Sequence, residues 1–216
     1  MVVPTPRSRP VLLATLAVVV AVLAVPSTAA AASVMSTRVL QERLAILGYL
    51  PGTGVDGRFG PQTRSAVIAF QKWEGLARDG VPGPRTRAAL AVANAPTPRT
   101  RGPGTRVEVL LDRQLALVVR SGRVLRALHV STGAKGSRTP TGTFEILRKS
   151  RSSWSREYKA WLPFAAYFVR GVAFHASARV PVRPASHGCV RVPTSNARWL
   201  YQTVRVGDRV AVLARS

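Results

Sequence analysis

The residues best suited to chemistry lie near the C-terminus, where the chain's one cysteine stands between a histidine and an arginine. Cys189 is the single cysteine among 216 residues and belongs to the run Ser186-His187-Gly188-Cys189-Val190-Arg191. A thiolate is the reactive form of cysteine, and a neighbouring imidazolium or guanidinium stabilises it. A thiol activated by histidine can attack an amide carbonyl and form a thioester. The pattern therefore favours acyl transfer at Cys189.

The attack would create a negative oxygen, and the residues around the cysteine offer groups to stabilise it. Glycine permits tight backbone conformations, so the N–H groups of Gly188 and Cys189 could act as donors. The planar fork of Arg191 suits a substrate carboxylate. Taken alone, a cysteine is often a small buried core residue and an arginine a surface charge. It is their combination that indicates a site.

Two histidines compete for the role of general base. His187 is close to Cys189 in sequence, but nearness along the chain does not establish side-chain contact. His175 ends the predicted strand 172–175 and could face Cys189 from a neighbouring strand. The residues alone leave both histidines open. His129 lies within another predicted strand and is interpreted as structural or partly exposed.

A zinc site is the alternative use of these side chains. Three histidines and one cysteine could supply four ligands, but they lack the paired spacing of zinc-binding motifs. We expect the chemistry to require neither a metal nor an organic cofactor.

The first 32 residues are typical of a secretory signal peptide. Arg7 and Arg9 give a positive start, an apolar run covers 11–25, and Ala30-Ala31-Ala32 fits a small-residue cleavage site. An uncleaved anchor is the alternative, but a spanning helix needs about 20 apolar residues. We therefore expect a secreted, extracytoplasmic protein that meets the membrane only during export. An exported chain with one cysteine has no intramolecular disulfide to form, so its thiol needs another explanation.

The charge is strongly positive, with 32 basic and 9 acidic residues and a formal net charge of +23. Such a charge favours polyanionic partners. For an exported protein, the anionic polymers and carboxylates of a bacterial cell wall fit better than nucleic acid. Binding of nucleic acid would also need aromatic residues interleaved with basic ones, and no such stripe is present. Most of the basic residues are arginine, so GC-rich coding is the alternative explanation of the charge.

A proline- and glycine-rich segment, residues 94–104, divides the chain. It cannot continue a helix or a central strand. We interpret it as a linker between a helical block at 35–93 and a β-rich block at 105–216.

The helical block contains an internal near-repeat. Residues 56–67 and 79–90 each begin with an Asp-Gly turn and continue with a Gly-Pro pair that opens a helix. Before them, apolar residues from 39 to 47 recur at helical spacing and Gly48 supplies a stop. The second helix should begin at Pro61 and end near Gly75. The block is predicted to be a small three-helix unit.

The β-rich block consists of short apolar runs separated by turns. Strands are predicted at 106–111, 114–120, 123–131, 143–147, 166–174 and 209–213. Asp112-Arg113 should be a two-residue hairpin connection. A helix should run from Pro193 to about Thr203. This pattern predicts a small sandwich or barrel-like β domain with one helix.

The helical block resembles the small peptidoglycan-binding domain found beside many cell-wall enzymes. The resemblance rests on an ordered set of short motifs: Leu40-Gln41, Leu47-Gly48-Tyr49, Val55-Asp56-Gly57, Phe59-Gly60-Pro61, Thr63, Ala66-Val67, Phe70-Gln71 and Gly75-Leu76. It implies that peptidoglycan is a partner of the protein. Because most of these residues suit core and turn positions, a helical domain that binds nothing is the alternative.

His175, followed by the Ser186–Arg191 run, resembles the signature of the L,D-transpeptidase catalytic domain of the YkuD type. Residues 131–133, 139–144 and 207–210 support this resemblance. It implies a set of roles: Cys189 as nucleophile, His175 as base oriented by the carbonyl of Ala176, His187 and Gly188 forming the oxyanion pocket with Cys189, and Ser186 and Arg191 contacting substrate. Ala176 stands where the family usually has glycine or serine. The interval of ten residues between His175 and Ser186 is shorter than usual, so the substrate loop should differ.

The two resemblances together imply an α+β, multi-domain protein: a three-helix peptidoglycan-binding module followed by a mainly β L,D-transpeptidase-like domain. The expected activity is the cross-linking of peptidoglycan stem peptides through a cysteine thioester. The alternatives are an L,D-carboxypeptidase that hydrolyses the same donor bond and a non-catalytic wall-binding protein.

Overall fold

The computed structural model describes residues 1–2 and 35–215. The predicted signal peptide, 1–32, lies outside the described residues apart from its first two. Within the described ranges, no helix combines the length and the apolar character needed to cross a membrane. The elements in chain order are α1 (Thr37–Ile46), a 3-10 turn (Gly52–Gly54), α2 (Pro61–Trp73), α3 (Pro84–Val92), β1 (Thr105–Leu110), β2 (Leu115–Arg120), β3 (Arg123–His129), β4 (Gly142–Glu145), β5 (Arg148–Ser155), β6 (Ala160–Val169), β7 (Val172–Ser177), β8 (Val190–Pro193), α4 (Thr194–Thr203) and β9 (Arg209–Leu213).

The three-helix unit forms as predicted. The helices α2 and α3 both begin at a proline that follows a glycine, where the missing proline N–H would have had no helical partner. Gly48 and Gly75 stop the first two helices with φ angles of +80° and +68°, a left-handed conformation that glycine adopts without strain.

The first copy of the near-repeat folds around a buried glutamine. Gln41 Nε2 donates to Asp56 Oδ1 at 2.8 Å, to the Arg58 carbonyl at 2.9 Å and to Thr63 Oγ1 at 2.9 Å. Gln41 Oε1 accepts from the Gly57 N–H at 2.7 Å. One side chain from α1 thus holds the whole turn that leads into α2.

The second copy repeats this arrangement with Gln71 of α2. Its Nε2 donates to Asp79 Oδ1 at 2.8 Å, to the Val81 carbonyl at 3.0 Å and to Thr86 Oγ1 at 3.2 Å. The Gly80 N–H donates to Gln71 Oε1 at 2.9 Å. The near-repeat in the sequence therefore corresponds to a repeated structure, in which a buried glutamine holds the turn before a helix. The matching residues of the two copies have structural roles.

The strands form two sheets. The first has the order β3-β2-β1-β9-β4 and the second β5-β6-β7-β8. The pairs β1–β9 and β7–β8 are parallel, and the other pairs are antiparallel. The sheets and α4 share one core, which includes Val107, Val118, Phe168, Phe174, Val190 and Leu200.

The helical unit covers the other face of the first sheet. Leu40, Leu44 and Phe70 from the helices form one buried cluster with Leu115 and Leu117 of β2. The strand β2 is therefore buried on both faces, which explains why its sequence is continuously apolar rather than alternating. The molecule consequently has three layers: helical unit, first sheet and second sheet.

Several sequence predictions for the β block need correction. The predicted strand at 166–174 is wrong, because β6 ends at Val169 and Gly171, with φ of +68°, turns the chain into β7. The hairpin connection that was predicted to consist of Asp112-Arg113 is a turn of four residues, 111–114. The strand β5 was not predicted, because its serine- and arginine-rich sequence carries no apolar alternation. The final strand, Arg209–Leu213, is confirmed.

The proline-rich segment contains no helix or strand, yet it is bonded to β1. Arg106 and Glu108 form an ion pair at 2.9 Å with both side chains buried. Glu108 accepts from the backbone N–H groups of Arg99 and Thr100, and Arg106 donates to the Gly102 carbonyl. These bonds satisfy the buried charges and hold the segment against the first sheet.

A buried lysine links the helical unit to the first sheet. Lys72 of α2 is 1% exposed, and its Nζ lies 2.7 Å from the Gln114 carbonyl, 2.9 Å from the Val130 carbonyl and 2.7 Å from His129 Nδ1. An ammonium has three N–H donors, which matches these three acceptors. Burial lowers the pKa of Lys72 to about 6, whereas the three acceptors oppose that shift by stabilising the charged form.

His129 connects Lys72 to the segment between β7 and β8. Because Nδ1 accepts from Lys72, Nε2 carries the hydrogen and donates to the Val180 carbonyl at 2.9 Å. Burial lowers the pKa of His129 to about 3, so the ring is neutral. His129 has the structural role predicted for it and is buried.

We expect Lys72→Met to loosen the docking of the helical unit. Methionine has similar length but leaves three buried acceptors unpaired, each costing about 1–3 kcal/mol. The free energy of unfolding, measured by urea denaturation, should fall by at least about 2 kcal/mol. The exposed Lys135 supplies the control: Lys135→Met should change it little. Equal effects of the two substitutions would contradict the role of Lys72.

Candidate active site

The parallel pair β7–β8 positions the predicted catalytic side chains. Phe174 pairs with Val190, and both are buried in the core between the sheets. His175 pairs with Arg191 in the same register. Because side chains alternate along a strand, His175, Arg191 and Cys189 lie on the face opposite the core.

These side chains open into a cavity of about 480 Å³. The structure brings together there six of the seven residues predicted for the site: His175, Ala176, Ser186, His187, Cys189 and Arg191. Gly188, the seventh, lies behind them with φ of +118°, a conformation that strongly favours glycine. Its carbonyl accepts from Thr139 Oγ1 at 2.7 Å, which anchors the turn before Cys189.

His175 is buried and held by a backbone group. Its Nδ1 lies 2.9 Å from the carbonyl of Ala176. A carbonyl only accepts, so Nδ1 carries the hydrogen and Nε2 has a free lone pair. Burial lowers the pKa of His175, and the charge of Arg191 lowers it further, against an opposing effect of the bond to Ala176. The imidazole is therefore neutral at neutral pH and able to accept a proton.

Cys189 is 8% exposed, and burial raises the pKa of its thiol. A backbone hydrogen bond from Ala173 and the charge of Arg191 oppose this shift. The resting site thus combines a neutral thiol with a neutral imidazole. Such a pair becomes nucleophilic when the thiol proton moves to the imidazole during the attack.

Ser186 braces the turn that carries the thiol. Its hydroxyl accepts from the Gly188 N–H at 3.2 Å and donates to the carbonyl of Cys189. The side chain lines the cavity but is 3% exposed. A substrate contact of Ser186 stays a prediction, as does an oxyanion role of the Gly188 N–H, which is bonded to Ser186 here.

His187 is exposed and stacks on Tyr158, with ring centroids 4.8 Å apart and planes 18° apart. Tyr158 belongs to the turn between β5 and β6, and its hydroxyl lies 2.7 Å from Glu157 Oε1. That bond raises the pKa of Tyr158 to about 12. The stacked ring of His187 shapes the rim of the cavity.

Sequence reasoning missed two aromatic residues of the rim. Tyr158 and Trp161 line the cavity, and Trp161 is 62% exposed. The β5–β6 hairpin that carries them was not predicted, so no signal in the sequence placed them beside Cys189.

Arg191 presents its guanidinium to the same cavity. Its backbone is fixed by two hydrogen bonds to Ser131, at 2.9 and 3.1 Å. Across residues 35–215, no carboxylate lies within ion-pair distance of its side chain. The charge is therefore available to an anionic group of a ligand.

The short segment between His175 and Ser186 is held by three hydrogen bonds. The carbonyl of Val180 accepts from His129, and that of Arg183 accepts from Ser131 Oγ at 2.8 Å. The Ala185 N–H donates to the Thr132 carbonyl at 2.9 Å. Within the described chain, no cluster of three or more His, Cys, Asp or Glu side chains could hold a metal ion.

Two family models match the chain. The model of the L,D-transpeptidase catalytic domain, YkuD, matches residues 104–212. The model described as a putative peptidoglycan binding domain matches residues 36–90. Each match falls on one of the two blocks seen in the sequence.

Similar proteins fall into two groups. A crystal structure of an L,D-transpeptidase from Xylanimonas cellulosilytica is 40% identical, covers 82% of this chain and 92% of that chain, and superposes with a TM-score of 0.74. L,D-transpeptidase 1 of Mycobacterium tuberculosis is 32% identical over 114 residues, which are 44% of this chain and 45% of that protein. A probable N-acetylmuramoyl-L-alanine amidase of Bacillus licheniformis is 46% identical over 57 residues, 26% of this chain and 16% of that protein. The chain thus spans less than half the length of these curated relatives.

We expect alkylation of Cys189 by iodoacetamide to accelerate as the pH rises through and beyond the ordinary cysteine range. The raised thiol pKa and the lowered imidazole pKa both disfavour a resting thiolate at neutral pH. Since the chain has one cysteine, mass spectrometry follows this thiol alone. A rate that reaches its plateau near pH 6 would contradict the neutral pair and indicate a resting thiolate–imidazolium pair.

Proposed function

The chain belongs to the L,D-transpeptidase (YkuD) catalytic-domain family, and from this premise we propose that it cross-links peptidoglycan stem peptides through a thioester on Cys189. One observation carries the proposal. The thiol of Cys189 and the imidazole of His175 open into the same cavity from the outer face of β7–β8. His175 is also oriented by Ala176 so that Nε2 is free to take a proton.

In the first step, Cys189 Sγ attacks the carbonyl carbon of the third residue of a donor stem. The thiol proton moves to His175 Nε2 as the S–C bond forms. The tetrahedral intermediate collapses, the C–N bond breaks, and the terminal D-alanine leaves after its nitrogen takes the proton from His175. The product is a thioester between the donor and Cys189.

In the second step, an amine of a neighbouring stem attacks the thioester carbonyl. His175 accepts the proton of that amine, the C–S bond breaks, and the thiolate of Cys189 recovers its proton. A new amide joins the two stems. The neutral resting pair suits this cycle, because the imidazole begins and ends each step without a proton on Nε2.

The charges that develop need support from the site. The N–H of Cys189, at the end of the turn braced by Ser186, is a candidate donor to the oxyanion. Arg191, which has no carboxylate partner among residues 35–215, offers its guanidinium to a substrate carboxylate. His187 and Tyr158 would close one side of the cavity around the reacting bond.

Water as the acceptor would make the protein an L,D-carboxypeptidase. The cavity favours neither acceptor, since its rim is exposed at His187 and Trp161. A wall-binding protein without activity is disfavoured by the buried thiol, which shares a cavity of about 480 Å³ with a neutral histidine.

The helical unit would hold the enzyme on its substrate. Its similarity to peptidoglycan-binding domains supports a site of action at the cell wall, and export through the predicted signal peptide would bring the chain there. The net charge of +23 favours the anionic polymers of such a wall.

We expect Cys189→Ala to abolish the formation of cross-linked dimers from purified stem peptides. Alanine keeps the backbone but removes the nucleophile, so the loss should exceed about 10³-fold. Mass spectrometry of the products also separates the two activities, since a carboxypeptidase would release D-alanine without dimers. An unchanged dimer yield in the variant would contradict the proposal.

The two histidines form a matched pair for testing the base. His175→Ala should remove most turnover, about 10²-fold or more. His187→Ala should retain more activity, because it removes a stacking partner at the rim. Initial rates of D-alanine release under single-turnover conditions give the comparison, and the reverse ranking would assign the base to His187.

A further inference from the structure

A second cavity lies between the helical unit and the catalytic layers. Its volume is about 730 Å³, and we call it the interdomain groove. One wall comes from α2 and the turn after it, with Arg64, Ser65 and Arg78. The other wall comes from residues 177–182 and 193–195.

The interdomain groove adjoins the catalytic cavity. Ser177, Ala178 and Thr194 line both. A ligand that fills the catalytic cavity can therefore extend past these three residues and lie against the helical unit.

The walls of the groove are fixed before any ligand binds. Lys72 of α2 bonds to His129, and His129 bonds to Val180, a residue of the facing wall. Helices and first sheet also share one buried cluster. A preformed site spends little binding energy on ordering its walls.

The charges of the groove favour an anionic ligand. Arg64 and Arg78 line it, Arg64 Nη2 donates to the Asp79 carbonyl at 3.2 Å, and Asp79 carries the one carboxylate among the described residues of the lining. Asp79 Oδ1 is already engaged, because it accepts from Gln71 Nε2 and from the Val81 N–H, both at 2.8 Å. No Trp, Tyr or Phe is found among the described residues that line the groove, so it lacks the aromatic platforms on which sugar rings stack.

We propose that the interdomain groove binds an extended acidic peptide, namely the part of the donor that precedes the attacked carbonyl, with its carboxylates at Arg64 and Arg78. The hydroxyl of Thr194 would bond its main chain. This assignment rests on the proposed function for the placement of the attacked carbonyl at Cys189. It makes the helical unit part of the substrate-binding site as well as a wall anchor.

The test compares two donor peptides. One carries two free carboxylates before the attacked carbonyl, and the other has both amidated. The full chain should show a KM about tenfold lower for the acidic donor, as expected for one or two charge-assisted hydrogen bonds. Arg64→Gln combined with Arg78→Gln should remove this preference. Arg38→Gln, which changes an exposed arginine of α1 outside the groove, should keep it.

Retention of the preference in the double variant would overturn the proposal and assign the carboxylates to Arg191. Competition by a glycan oligomer without stem peptides, combined with no effect of amidation, would overturn it in favour of a sugar site.

Binding to the Cys189→Ala chain separates this proposal from the proposed function. Calorimetry should give tighter binding of the acidic donor than of the amidated one, and the two arginine substitutions should abolish the difference. This result supports the groove even if the wild type turns over neither donor. Equal binding of both donors would overturn the groove while leaving catalysis untouched.

Discussion

The site depends on the burial of one face of the parallel pair β7–β8. Phe174 and Val190 must lie in the core between the two sheets, since exposing them would lose the largest favourable contribution to folding. Alternation along the strands then sends His175, Cys189 and Arg191 to the opposite face. The backbone needs no strained residue among these three, and the left-handed conformation is confined to Gly188 in the preceding turn. Packing of the core and placement of the candidate catalytic groups are thus consequences of one register.

A chain of hydrogen bonds connects the layers of the molecule. Lys72 from α2 bonds to His129 at the end of β3, and His129 bonds to Val180 in the interval between His175 and Ser186. The interval is short, and these bonds hold it beside the cavity. The helical unit therefore supports the catalytic layer directly. The same contacts border the interdomain groove, so docking of the helical unit and the proposed extended substrate site have a common origin.

Much of this arrangement was predictable from the sequence because it rests on local signals. Proline after glycine marks the starts of α2 and α3, and the Ser186–Arg191 run with upstream His175 identifies the candidate chemistry. The β5–β6 hairpin was not predictable in this way, since the polar sequence of β5 has no apolar alternation and the turn after it, residues 156–159, lacks glycine and proline. Tyr158 and Trp161 were missed with it.

The sequence of β2 carries a signal for the docking of the helical unit, but this signal does not identify the element that docks. The continuously apolar run of β2 indicates a strand buried on both faces, but it does not say what covers the second face. The sequence around Lys72 does not mark it as buried, because its three acceptors come from distant parts of the chain. Only the assembled fold shows which charge is buried.

The central claim is that Cys189 carries the donor as a thioester. Intact-mass analysis of the full chain, quenched in acid during turnover of a tetrapeptide stem, tests it most directly. The account predicts an added mass equal to the stem without its terminal D-alanine, located on the peptide that contains Cys189 and absent from Cys189→Ala. Release of D-alanine with no such adduct, or an adduct on another residue, would contradict it.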